Sequence, residues 1–330
     1  MALTARLSFI NTTENEPSGD PEDLFAGSLG VIFTDDVTNQ HGDASTALHY
    51  TSPHLSKPLR IELSDPKIAE DRSLFSHFLW NASLLLADLI EAGTLGLTPG
   101  GDTTGAGAGT VDVGKKVSVP ELADFDIRGR SAIEMGAGTG LPSLMAALLG
   151  AKRVLVTDYP APVVIENLRK NVELNLKDHR EGGARGGVEV GVAVEGHGWG
   201  ELETPLALEN KGAFDRVLCA DCLWMPWQHE NLRRSIAWFL SEDDPGARAW
   251  VVGGYHTGRE KMRGFFDAEK LREVGLEVER LWERDCDGND REWAWDRGAE
   301  DLDITGRKRW LAVSVLRRIR KDADDDKAER

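Results

Sequence analysis

With 330 residues, 41% of them hydrophobic, the chain can bury a sizeable core as one large domain or two small ones. Its 56 acidic residues against 39 basic ones, a formal charge of −17, argue against nonspecific binding to nucleic acid or an anionic membrane and favour a cationic ligand. The opening MALTARLSFINTTENEP has no continuous apolar segment, and no stretch reaches the roughly 18 apolar residues of a membrane helix, so the expected compartment is the cytosol or the nucleus.

Residues 1–70 are mixed, with GVIFTDD (30–36) and LRIELSDP (59–66) reading as short strands. SLFSHFLWNASLLLADLIEAG (73–93) spaces its apolar residues as a helix ended by Gly93. Residues 94–117 are rich in glycine and threonine, lack periodicity and read as a flexible insertion. From Asp126 the pattern becomes regular. SAIEMG, RVLVTD, VEVGVAVEG, FDRVLCAD and RAWVVGGYH are expected strands, with helices over 141–149, 161–176 and 229–240 between them. LEVERLWERD and RKRWLAVSVLRRI close the series, and 286–310 between them reads as a hairpin. Such alternation predicts an α/β fold with a doubly wound, parallel sheet. The expected parts are an N-terminal extension with a capping helix (1–93), the insertion (94–117), a core (118–320) and a charged tail (321–330). Cys219-x-x-Cys222 has no second pair to complete a metal site and lies in an apolar run, which predicts buried core and no bound metal.

The loop after the first core strand reads Glu134-Met-Gly136-Ala-Gly138-Thr-Gly140. A dinucleotide fingerprint needs glycine at position 141, where Leu141 stands, and no G-K-[ST] follows to cradle a phosphate. What remains is a bare backbone turn that lets a ligand approach closely. Glu134, at the strand end, would repel phosphate and welcome a cation. Asp158 ends the next strand, beside the loop, where a carboxylate can accept from both hydroxyls of a ribose. A nucleoside sugar, no phosphate and a positive centre together describe S-adenosylmethionine. The bland alternative is that the three glycines pack strand on helix and Asp158 caps the helix that follows.

The E-x-G-x-G-x-G loop with VTDYP resembles the class I, seven-strand methyltransferases. FLWNASLLLADLI, GHGWG and FDRVLCADCLW extend the likeness to the group holding nicotinamide N-methyltransferase-like proteins of fungi and related protein lysine and N-terminal methyltransferases, over about residues 75–225. The resemblance implies a Rossmann-like sheet of order 3-2-1-4-5-7-6 with strand 7 antiparallel. It assigns Glu134, Gly136, Gly138 and Gly140 to the methionine end of the cofactor and Asp158 to its ribose. It also places Trp80 over the cofactor from the N-terminal helix, and Trp199 and Ala220 along its adenine and methionine portions. Read from the residues alone, Trp199 in GHGWG is either a stacking platform or a core anchor, and Trp80 on an amphipathic helix is first of all core.

Methyl transfer from a sulfonium is a direct displacement, so the enzyme mainly aligns the acceptor and excludes water. Asp221, at the end of the fourth strand, can steer an amine or a ring nitrogen. Protein-methylating relatives carry tyrosine or phenylalanine three residues later, whereas this chain has Trp224. ADCLW also lacks the Asn/Asp-Pro-Pro-aromatic loop of adenine and glutamine methylation. Trp224, Trp227, His229, Tyr255 and His256 form a candidate aromatic acceptor pocket. The expected function is N-methylation of a protein lysine or N-terminal amine. A small nitrogen heterocycle, and a regulatory protein acting by contact alone, are the alternatives.

Overall fold

The structure is a computed structural model and describes residues 2–11, 38–42, 46–64, 75–76, 78–97, 122–181 and 191–320. The expected strand 30–36, residues 98–117 of the expected insertion and the tail 321–330 lie outside the described residues.

Eight strands form the main sheet: β6 (Ser131–Met135), β7 (Arg153–Asp158), β8 (Gly191–Gly196), β9 (Arg216–Ala220), β10 (Arg248–Gly254), β11 (Leu276–Asp285), β12 (Asp290–Glu292) and β13 (Trp310–Arg318). Their order is β8-β7-β6-β9-β10-β13-β11-β12. The first five run parallel; β13 is antiparallel to both β10 and β11, and β12 pairs antiparallel with β11. The central strand β9, Arg-Val-Leu-Cys-Ala, is buried throughout, as expected of a strand covered on both faces.

One face of the sheet carries α1 (Asn81–Leu95), α2 (Leu141–Leu148) and α3 (Pro162–Glu181), whose apolar residues join one core cluster with Leu218, Trp250 and Val313. The other face packs on α4 (Pro205–Glu209) and α5 (His229–Phe239), through Ala207, Leu232 and Phe239. Cys219 and Cys222 are buried in that second cluster. Among the described residues no helix is long and apolar enough to cross a membrane.

The N-terminal segment forms two small sheets. One is β1 (Leu7–Asn11), β3 (Thr46–Tyr50) and β4 (Leu59–Ile61); the other pairs β2 (Gln40–His41) with β5 (Leu79–Trp80). The first packs into the main core through Leu48, Tyr50, Leu59 and Ile61. Arg6 fastens it to α1: its guanidinium contacts Asp88, bonds Glu91 at 2.7 Å, and donates to the Tyr50 hydroxyl at 3.1 Å. These charges sit deep in the protein, with 13% of the Arg6 side chain exposed and 1% of Glu91.

The expected helix over 73–93 is corrected at both ends. Leu79–Trp80 is extended because it pairs with Gln40–His41, and the helix begins only at Asn81. It runs through Gly93 to Leu95, so 94 and 95 belong to α1, and Gly96 at φ 68° supplies the left-handed cap. The segment between β11 and β13 is more than a hairpin. It holds β12 and two short helices, α8 (Ala299–Leu302) and α9 (Ile304–Lys308), where α6 (Arg259–Arg263) and α7 (Ala268–Glu273) precede β11.

Candidate active site

Four loops leave the carboxyl ends of β8, β7, β6 and β9 side by side, and a cavity of about 480 Å³ runs across them. That volume suits a nucleoside-sized ligand. Gly136 and Gly138, after β6, form part of its wall at φ 64° and 55°, a left-handed backbone that side chains resist. A Cβ on Gly136 would stand 2.9 Å from both the Cys222 sulfur and Trp199 Cζ2, whereas one on Gly138 would meet nothing nearer than 3.8 Å. Gly136 is therefore bare for packing as well as for conformation.

Asp158, at the end of β7, lines the same cavity. Its Oδ2 accepts the Gly138 N–H at 2.7 Å and its Oδ1 the Tyr159 N–H at 2.6 Å. Burial pushes its carboxyl up to about 6, against the lowering effect of those two N–H donors. Each carboxylate oxygen still has a second lone pair for a ligand hydroxyl.

Glu134 does not line the cavity: it is fully buried beneath the loop, where its Oε2 accepts the Ser143 N–H at 2.9 Å and so anchors the first turn of α2. Burial raises its carboxyl to about 8, which makes it a poor charge for holding a distant cation. Gly140 is likewise absent from the wall; a Cβ there would press on Leu168 at 3.1 Å, so this glycine lets α3 approach the loop.

Trp199, Ala220, Asp221, Trp224 and Trp80 all line the cavity. Trp199 lies with its indole against Gly136, packs on the second core cluster and lines the cavity. Trp80 projects from β5 rather than from the helix, and its Nε1 donates to the Phe75 carbonyl at 3.0 Å. Asp221 adopts φ 59°; its Oδ1 accepts the Gly254 N–H and meets His256 Nε2, each at 3.1 Å.

Of the five aromatic residues expected around an acceptor, only Trp224 is in the wall. Trp227 is 71% exposed and stands edge-on to Trp224. His229 is buried with Nε2 2.9 Å from the Leu223 carbonyl, and Tyr255 is buried with its hydroxyl bonded to Arg259. His256 sits behind the wall, reaching it only through Asp221 and Trp80. Sequence reasoning missed Phe75, Phe78, Tyr159, His197, Gln228 and Asn231, which also line the cavity. Tyr159 and His197 sit next to motif residues and so carried a signal; Gln228 and Asn231 sit in a loop and a helix start with none.

A doubly wound sheet whose bare loop, acidic strand end and cavity share one carboxyl edge defines a Rossmann-like methyltransferase. The chain belongs to the lysine methyltransferase family, whose model matches residues 70–270. It is similar to the protein N-terminal and lysine N-methyltransferase EFM7 of Gibberella zeae, 28% identical over 265 residues covering 78% of this chain and 83% of the relative. The protein of the same name from Yarrowia lipolytica is 28% identical over 278 residues, 80% of this chain and 89% of the relative. A solved S-adenosylmethionine dependent methyltransferase from Mesorhizobium loti is 16% identical, with a TM-score of 0.37 over 58% of this chain and 92% of that one.

Proposed function

We propose that the protein transfers a methyl group from S-adenosylmethionine to an amine nitrogen of a protein, on a lysine side chain or a chain N-terminus. The observation that carries this is a single cavity with Asp158 and the glycine loop in its wall together with Asp221. Sheet order supports separate roles for them: Asp158 ends β7, the loop follows β6, and Asp221 follows β9 on the far side.

In this reading Asp158 accepts from the ribose hydroxyls, Gly136 and Gly138 admit the cofactor against bare backbone, and Trp199 offers an aromatic face to the adenine. Ala220 leaves room for the methionine portion. Bound S-adenosylmethionine supplies the electrophilic sulfonium methyl. Asp221 attracts the acceptor's ammonium and orients it, its own position fixed by the Gly254 N–H and His256. The ammonium first gives a proton to solvent, because it has no lone pair; the nitrogen then forms its bond to the methyl as the carbon–sulfur bond breaks and S-adenosylhomocysteine leaves, with Trp80 and Trp224 excluding water from the approach. Relatives named as protein N-terminal and lysine N-methyltransferases support a protein acceptor.

The test is incubation of the pure protein with methyl-labelled cofactor and a whole-cell extract, followed by separation by size. Label in macromolecules, on an amine, is the expected result. Label confined to small solutes would replace the protein acceptor by a small nitrogen compound, and no label at all would leave a protein acting by contact alone.

A further inference from the structure

Three asparagines one turn apart on α3, Asn167, Asn171 and Asn175, bond the backbone of Arg60 in the N-terminal strand β4 and of Glu62 just after it, as a neighbouring strand would. Asn175 accepts the Arg60 N–H and donates to the Arg60 carbonyl, each at 2.8 Å. Asn167 donates to the Glu62 carbonyl at 2.9 Å. Asn171 does more. It is fully buried, its Oδ1 accepts the Glu62 N–H at 2.8 Å, and its Nδ2 donates both to the Glu62 carbonyl at 2.9 Å and to the Thr139 carbonyl at 3.1 Å.

Thr139 is the residue of the glycine loop between Gly138 and Gly140, and it lines the cavity. Its carbonyl lies outside the hydrogen-bond ladder of α2, which begins with the Gly140 carbonyl accepting from Leu144. The peptide unit joining Thr139 to Gly140 is instead held at both ends: Asn171 binds its C=O, and the Ala137 carbonyl accepts its N–H at 2.8 Å. Between two left-handed glycines such a unit has little intrinsic preference, so these bonds set its orientation. The loop is thereby tied to a strand more than seventy residues earlier.

We infer that Asn171 is a positioning residue for the cofactor loop and that β4 is the brace through which it acts, which makes the N-terminal sheet part of the cofactor site. This rests on the S-adenosylmethionine reading given above. Asn167 provides the control, since it bonds the same Glu62 carbonyl but does not bond Thr139.

Calorimetry with S-adenosylhomocysteine on the full chain tests the inference. Asn171→Ala is expected to weaken binding about tenfold, the loss of one buried hydrogen bond to the loop, and Asn167→Ala to stay within about twofold of wild type. Amide exchange supplies a readout that a merely structural role would not move. Coupling is reciprocal, so S-adenosylhomocysteine should slow exchange at the Glu62 amide of the wild type. If Asn171→Ala does not fold, that exchange result decides alone: slowing at Glu62 supports the brace and unchanged exchange overturns it. Equal affinity in folded Asn171→Ala and Asn167→Ala overturns the inference while leaving the cofactor reading intact. No binding by the wild type would remove both.

Discussion

Trp80 stacks on His256, with ring centroids 4.7 Å apart and planes inclined by 25°. The same imidazole meets Asp221 at 3.1 Å, so one half-buried side chain joins Trp80 of the N-terminal segment to the carboxylate after β9. Burial lowers the basicity of His256 and Arg307 lowers it slightly, but the attraction of Asp221 outweighs both and leaves it raised.

A histidine raised in the folded state contributes stability that is fully present below its unfolded value near 6.5 and is lost as pH rises through the folded one. His256→Gln should therefore lose more melting temperature, relative to wild type, at pH 6 than at pH 9. A difference between the two proteins that does not vary with pH would show that the Asp221 pairing carries no charge.

Asp158 sits at about 6 in the folded protein, and its proposed acceptance from two ribose hydroxyls needs the ionised form. Affinity for S-adenosylhomocysteine should hold above pH 7 and fall towards tenfold per unit below about pH 6. Asp158→Ala should weaken binding by about 1–3 kcal/mol and abolish that acid limb. Calorimetry at pH 5.5 and 7.5 checks both; unchanged affinity in a folded variant removes Asp158 from the site.

Glu134 gives the opposite kind of signal. Its folded value near 8 lies above its unfolded one near 4.5, so ionising it costs stability over that window. Glu134→Gln should melt higher than wild type by an amount that grows from pH 5 to 8 and then levels. A constant offset across that range would mean that the carboxyl is ionised at no cost.

The two loop glycines should respond differently to a methyl group. Both residues would carry the strain of left-handed backbone, about 1–2 kcal/mol. Gly136→Ala adds a clash with Cys222 and Trp199 that Gly138→Ala lacks. Denaturant unfolding should rank Gly136→Ala clearly the less stable. Equal losses would place the whole effect in backbone conformation.

Removing Arg6 should be costly because it leaves Glu91 buried beside Asp88 without the guanidinium that contacts them both. Arg6→Leu is expected to lose about 3–5 kcal/mol, and adding Glu91→Gln should recover part of it. Additive losses in the double variant would contradict the pairing.

The parallel core was legible because its strands are continuous apolar runs and its helices repeat with a clear period. The glycine loop and Asp158 were legible because their chemistry depends on residue type at fixed spacing. Other features were not. Whether Glu134 faces the cavity or lies beneath it depends on how α2 folds back, and the Ser143 N–H that captures it leaves no mark on spacing. The acceptor side failed because aromatic residues close in sequence, Trp224 and Trp227, diverge to a wall and to open solvent. The asparagines of α3 carry no signal in the sequence, since their backbone partners lie over a hundred residues away.

The backbone at Asp221 bends the wrong way for most side chains, at φ 59°. With Asp221 orienting the acceptor as proposed, selection for robustness and selection for turnover pull against each other at this one codon. A library screened only for heat resistance should then enrich glycine or asparagine there, relaxing the bend and losing that proposed role in the same step. Natural retention of the aspartate would then record what the cell asks of the protein rather than what the fold prefers.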